Sequence, residues 1–303
     1  MKILVKVALL QALFSVSLVS TTFSIPRAGF YMPDSIQEFS LTYQSYNNLI
    51  VLPVTINDSV KLNLVLDTGC RNLILFGKSF HKYFKTQPET KIKFSGLGEG
   101  RPLLGDLSLR NKILIGNVIG ENIPVVLVPH RSVFKNIDMP IDGVIGYDIF
   151  IKFEIELNPD IHRITFRPAM TACAPEGYAK IPMRVEDSLP VINSTIIFEQ
   201  DDQNCNLIID TGSILGLLLK TTDLKKFKTK SPGKLIGQGF NGDIKGFEMI
   251  ANKVVLPGFE IESLSANITE SPWHNYASIG MDILKDYSVI LNYVKEYVCL
   301  KRA

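Results

Sequence analysis

The chain has 303 residues, 46% of them hydrophobic and 20% charged, with a formal net charge of +2. That length allows two compact domains, and the hydrophobic share excludes wholesale disorder. The first 24 residues hold Lys2 and Lys6 and no acid, so the remainder has 30 basic against 30 acidic residues. A balance that close points to no nucleic-acid or membrane-surface partner.

Read from the start, Lys2 and Lys6 precede an apolar run from Val7 to Val19, broken by Gln11, Ser15 and Ser17, with Ser20, Thr21, Thr22 and Ser24 after it. This is the pattern and length of a signal peptide, short for a membrane span. Residues 1–24 are therefore expected to be an export signal, with a retained N-terminal anchor as the alternative, and the address extracytoplasmic, either periplasmic or secreted. Residues 25–44 form a lead-in segment. Short Val-, Ile- and Leu-rich runs follow at Asn48 to Thr55, Leu62 to Leu66, Lys112 to Ile115, Ile123 to Val128 and Ile161 to Phe166, separated by turns such as Asn57-Asp58 and Gly116-Asn117. These predict strands. Helix is expected only at Ser79 to Phe84 and Asp148 to Phe153, with Asp148 and Asp282 capping helix starts. The class is all-β.

The chain also repeats itself, at a period far too long for a solenoid. Asn63-Leu64-Val65-Leu66-Asp67-Thr68-Gly69 matches Asn206-Leu207-Ile208-Ile209-Asp210-Thr211-Gly212. Gly96-Leu97-Gly98 matches Gly237-Gln238-Gly239, and Lys112 to Val128 is echoed by Lys253 to Ile268. Ile145-Gly146-Tyr147-Asp148 matches Ile279-Gly280-Met281-Asp282, and Glu156-Leu157-Asn158 matches Ile290-Leu291-Asn292. Matching landmarks in one order indicate a duplication: lobes at 45–168 and 188–303, joined by a Pro-rich linker at 169–187.

In each copy a buried strand ends in an acid, then Thr, then Gly. Gly permits a sharp turn that brings the carboxylate out of the strand, and the Thr hydroxyl can bond across to the other copy's loop. If the loops meet, both carboxyls cannot ionise at once, and the pair titrates as a unit. The charged member then takes a proton from water while the neutral one donates to a carbonyl oxygen. Other chemistries lack their residues. The sequence has no Cys-x-x-Cys among its four cysteines, no Gly-rich loop ending in Lys-Ser or Lys-Thr, and no Gly-x-Ser-x-Gly elbow. No metal or cofactor is expected.

On these motifs the chain resembles the retropepsin-like aspartic peptidase superfamily, in the form of two fused lobes similar to exported bacterial aspartyl proteases. The resemblance implies a monomeric endopeptidase (a hydrolase) with Asp67 and Asp210 catalytic. Loop support would come from Thr68, Gly69, Thr211, Gly212, Ile145, Gly146, Ile279 and Gly280. Substrate-binding flaps would be Gly96, Leu97 and Gly98 with Gly237, Gln238 and Gly239. The substrate would be a peptide or unfolded protein, paired with the flaps by strand addition. Leu73, Ile74, Leu215 and Leu217 are candidates for its apolar pockets, although ordinary core positions are the commoner reading of each. The family pairs the linker with the last strand beneath the site, which would allow a Cys173–Cys299 bond. The alternative is a catalytically silent peptide-binding protein on the same fold. Retention of both acids favours chemistry, because burying two carboxylates together is costly.

Overall fold

The structure is a computed structural model that describes residues 28–94, 96, 98, 100–129, 141–199, 202–227, 233–270 and 276–303. The export signal or anchor expected at 1–24 lies outside these residues. Among them no helix is long and apolar enough to cross a membrane. Strands dominate, and they form three sheets.

The first-half sheet runs Gln44–Tyr46, Leu49–Ile56, Val60–Leu66, Gly143–Ile145, Leu73–Phe76, Val118–Val128, Leu103–Ile115 and Thr86–Phe94, with Gly29–Tyr31 added on Val118–Val128. The second-half sheet follows the same order, strand for strand: Arg184–Glu186, Leu189–Ile197, Asp202–Ile209, Tyr276–Ile279, Leu217–Thr221, Phe259–Glu270, Gly242–Leu256 and Lys234–Gly239. The expected strands are all present, and the duplication extends from sequence to topology. The linker is more regular than its prolines suggest, since Ala179–Pro182 and Arg184–Glu186 are strands.

A third, six-stranded sheet takes strands from both halves: Ala179–Pro182, Tyr297–Arg302, Tyr287–Asn292, Phe153–Asn158, Arg163–Pro168 and Phe39–Thr42. At its centre the two halves pair directly, Ile155 opposite Leu291 and Glu156 opposite Ile290. A fully buried carboxyl group ties the same sheet together. Glu154 accepts from the Tyr297 hydroxyl, from Asn292 Nδ2 at 3.3 Å and from Arg167 Nη1 at 3.5 Å. Ionic and polar partners on that scale offset the desolvation that an isolated carboxylate would suffer.

The burial pattern explains which strands carry the site. Leu73–Phe76 is buried throughout, as is Leu64-Val65-Leu66. Continuous apolar runs of this kind mark strands covered on both faces. Leu189–Ile197 instead alternates from Asn193 onward. Asp67 and Asp210 thus follow the buried ends of Val60–Leu66 and Asp202–Ile209.

Several local expectations need correction. The first helix is a 3-10 piece at Lys78–Tyr83. The other is a single turn at Tyr147–Phe150, repeated at Met281–Leu284. Asp148 and Asp282 do not cap these turns. The cap positions are Gly146 and Gly280, with no side-chain bond, and each Asp falls inside the first turn. The helices begin one residue earlier than expected because Gly146 and Gly280 are held close against the Asp67 and Asp210 loops. All four cysteines are free, Cys173 exposed and Cys299 buried, so the Cys173–Cys299 bond is absent. The pairing of linker and last strand that suggested it does exist, with Lys180 opposite Cys299.

Candidate active site

The strand Val60–Leu66 delivers Asp67 and Asp202–Ile209 delivers Asp210, each beside a short parallel strand from much later in its half. Asp67 N–H donates to Ile145 O at 2.8 Å, and Asp210 N–H donates to Ile279 O at 2.9 Å. Past each acid the chain turns back on itself. Cys70 N–H meets Asp67 O at 3.2 Å, and Ser213 N–H meets Asp210 O at 3.3 Å. Tyr147 N–H then fastens Cys70 O at 2.8 Å, and Met281 N–H fastens Ser213 O at 2.7 Å. Gly146 and Gly280 are required by space here. A Cβ on Gly146 would lie 2.5 Å from Asp67 O, and one on Gly280 would lie 2.7 Å from Ser213 O.

The two loops meet and are cross-bonded. Thr68 Oγ1 donates to Ile209 O at 2.6 Å and accepts from Thr211 N–H at 2.9 Å. Thr211 Oγ1 donates to Leu66 O at 2.7 Å and accepts from Thr68 N–H at 3.1 Å. Both threonines are fully buried. A hydroxyl is the side chain this geometry needs, since each must donate and accept at once.

The carboxyl groups converge over this cross-brace. A Cβ built on Gly69 would lie 3.0 Å from Asp67 Oδ1 and 3.2 Å from Asp210 Oδ1. The two oxygens are therefore no further apart than the sum of those distances, roughly the reach of two hydrogen bonds in series through one water. A Cβ on Gly212 would come within 2.5 Å of Asp67 Oδ2 and closer still to its Cγ. Each glycine of the motif is thus the space in which the opposite acid sits. Within its own loop, Asp67 Oδ1 accepts from Gly69 N–H at 2.7 Å and Asp210 Oδ1 from Gly212 N–H at 3.1 Å.

Electrostatics follow from that crowding. Burial pushes Asp67 up to about 8, with the charge of Asp210 as the next cause. Burial also raises Asp210, but the Lys220 ammonium and the N–H groups of Gly212 and Ser213 oppose it. Lys220, on Leu217–Thr221, is itself held below its usual range by burial. Lys220 and these N–H groups thus bias the ionised state toward Asp210.

The Gly-rich segments are the tips of two β-hairpins, Thr86–Phe94 with Leu103–Ile115 and Lys234–Gly239 with Gly242–Leu256. Gly96 and Gly98 sit in the first tip, whereas Leu97 lies outside the described residues. Gly237, Gln238 and Gly239 are strand residues leading into the second tip, which is Phe240-Asn241. Of the pocket candidates, Leu73, Ile74 and Leu217 are core residues. Leu215 is only partly buried and faces the second hairpin, 3.8 Å from the position of a Gly237 Cβ.

Sequence reasoning missed Lys220, Phe240, Asn241 and Tyr293. Tyr293 stacks on Phe150 at 5.1 Å, and burial, then the charges of Asp67 and Asp210, raise its hydroxyl well above the usual range. The phenylalanine at the second tip was a visible signal, being the one bulky residue in a Gly-rich turn. Among the described residues no group of three or more His, Cys, Asp and Glu side chains could hold a metal ion. No protein-family model and no curated protein matches this chain.

Proposed function

We propose that the protein is an exported, single-chain aspartic endopeptidase on a two-lobed, retropepsin-like fold. The observation that carries this reading is the cross-bonded pair of Asp-Thr-Gly loops with both carboxyl groups facing one point. A structural ion pair would bring opposite charges together. Two buried like charges make sense where one must be an acid and the other a base.

In this reaction an extended peptide lies between the hairpins and the dyad, pairing its backbone with the hairpin strands. Ionised Asp210 takes a proton from a water held between the carboxyls, and the water oxygen attacks the scissile carbonyl carbon. Asp67 gives its proton to the carbonyl oxygen, forming a neutral tetrahedral diol. Collapse of the diol breaks the C–N bond, and the leaving nitrogen receives the proton now on Asp210. The remaining hydroxyl proton returns to Asp67, so the dyad ends with one proton, as it began. The Thr68–Thr211 brace keeps the carboxyls from drifting apart during these transfers.

Cleavage of an unfolded protein between pH 3 and 8 by the wild type, Asp67→Asn and Asp210→Asn tests the reading. The expected loss is about a thousandfold or more for either variant, in the upper part of the range for a lost acid or base. Equal cleavage by all three ends the proposal. Absence of cleavage by the wild type, with peptide binding retained, would favour a silent binder instead.

The pH profile has an expected shape. Activity falls as pH rises through the Asp67 value near 8, because Asp67 then has no proton to give. It also falls in acid, once Asp210 is protonated. Lys220→Met removes the cation that favours ionised Asp210, so the acidic limb of kcat/KM is expected to move toward neutral pH. Gly212→Ala, measured at fixed pH, is expected to lower kcat by roughly a hundredfold, because a methyl displaces the Asp67 carboxyl.

A further inference from the structure

The second hairpin tip does more than cover the cleft. Asn241 is buried, and its Oδ1 accepts from Gly96 N–H at 3.0 Å while its backbone oxygen accepts from Gly100 N–H at 2.5 Å. One residue of the second half thus takes two backbone donors of the first hairpin. Phe240 packs into the first half as well, its ring 5.3 Å from Phe76 and 6.4 Å, edge-on, from Phe94. Phe76 ends the strand that leaves the Asp67 loop. The fit is close. A Cβ on Gly96 would lie 2.8 Å from Phe240 Cβ, and one on Gly98 would lie 2.6 Å from Gly242 O.

An extended peptide lying against a strand makes contacts of this kind: main-chain donors satisfied and a side chain seated in an apolar wall. We propose that Phe240-Asn241 is a built-in substrate mimic, which occupies the first half's peptide-binding surface and must be displaced before a peptide can bind there. The inference rests on the peptidase reading for its consequence. It also names a substrate class: an extended peptide that presents a large aromatic or apolar side chain to the wall of Phe76 and Phe94, with a carbonyl acceptor directly after it.

Two measurements separate this inference from the reading beneath it. Hydrogen exchange of the segment around Gly96 and Gly100 reports the latch without any catalysis. Phe240→Ala/Asn241→Ala is expected to exchange there at least tenfold faster than wild type, with Leu64–Leu66 unchanged. Should the double variant fail to fold, Asn241→Ala alone is expected to release Gly96. Unaltered exchange would overturn the latch.

The second measurement is binding of a fluorescein-labelled octapeptide, Phe at its fourth position and Leu at its fifth, to Asp67→Asn protein, which cannot consume it. Adding Phe240→Ala/Asn241→Ala to this background is expected to tighten the Kd about tenfold. Unchanged, weaker or undetectable binding would overturn competition by the tip, because a gripping wall loses affinity when its aromatic is removed. Cleavage by the wild type is scored separately, so a protein that binds as expected but cuts nothing strikes the peptidase reading alone.

Discussion

Asp67→Asn is expected to unfold at a higher temperature than the wild type at pH 7, although it loses cleavage. Burial and the Asp210 charge raise the folded-state value of Asp67 to about 8, against roughly 3.9 in an unfolded chain. Between those values the folded state binds more protons than the unfolded one. Stability is therefore greatest below about pH 4 and declines as pH rises toward 8. Asn carries no such cost at any pH. A gain of about 1–3 kcal/mol at pH 7, or roughly 4–8 °C near the middle of that range, is the expected result. The difference should close as pH falls below 4, where the carboxyl is protonated in both states. Calorimetry at pH 3.5 and 7 checks it, and a variant less stable than wild type at pH 7 would contradict the burial argument.

The second large effect falls on the cross-brace. Thr211→Val keeps the shape but leaves Leu66 O and Thr68 N–H without their partner in a fully buried place. Each unsatisfied backbone group costs about 1–3 kcal/mol, so the expected loss is about 2–5 kcal/mol. Thr211→Ser retains the hydroxyl and should recover most of it. Because the two threonines belong to one network, Thr68→Val/Thr211→Val should cost less than the two single changes together. The catalytic signature should be a fall in kcat larger than any change in KM, since the brace sets carboxyl geometry rather than the peptide wall. Urea titration and steady-state kinetics on the wild type, the three Val variants and Thr211→Ser measure both.

Much of the fold was legible because the signals were local and doubled. Leu64-Val65-Leu66 reads as a covered strand from its run of apolar residues, and its repeat at Leu207-Ile208-Ile209 made the same reading twice. Gly146 and Gly280 entered through the family resemblance, which implies that they support the motif loops, and each lies tight against the loop of its own half. What was not legible depends on three-dimensional neighbours. Asp148 and Asp282 look like caps by residue type, but the tight approach of Gly146 to the Asp67 loop shifts the turn by one residue. Lys220 lies ten positions beyond Asp210, and nothing in its strand Leu217–Thr221 announces a charge in reach of the dyad. Asn241 acquires its part only because a hairpin from the other half comes within hydrogen-bonding distance of Gly96 and Gly100.

The account depends on two carboxyl groups behaving as one titrating unit. Carbon-13 NMR of the aspartate side-chain carboxyl carbons, assigned with Asp67→Asn and Asp210→Asn and followed from pH 3 to 9, measures this directly. The expected result is a coupled pair in which one proton survives well above the ordinary carboxylate range and leaves near pH 8. Two independent transitions at ordinary carboxylate values, each indifferent to the loss of the other acid, would contradict it.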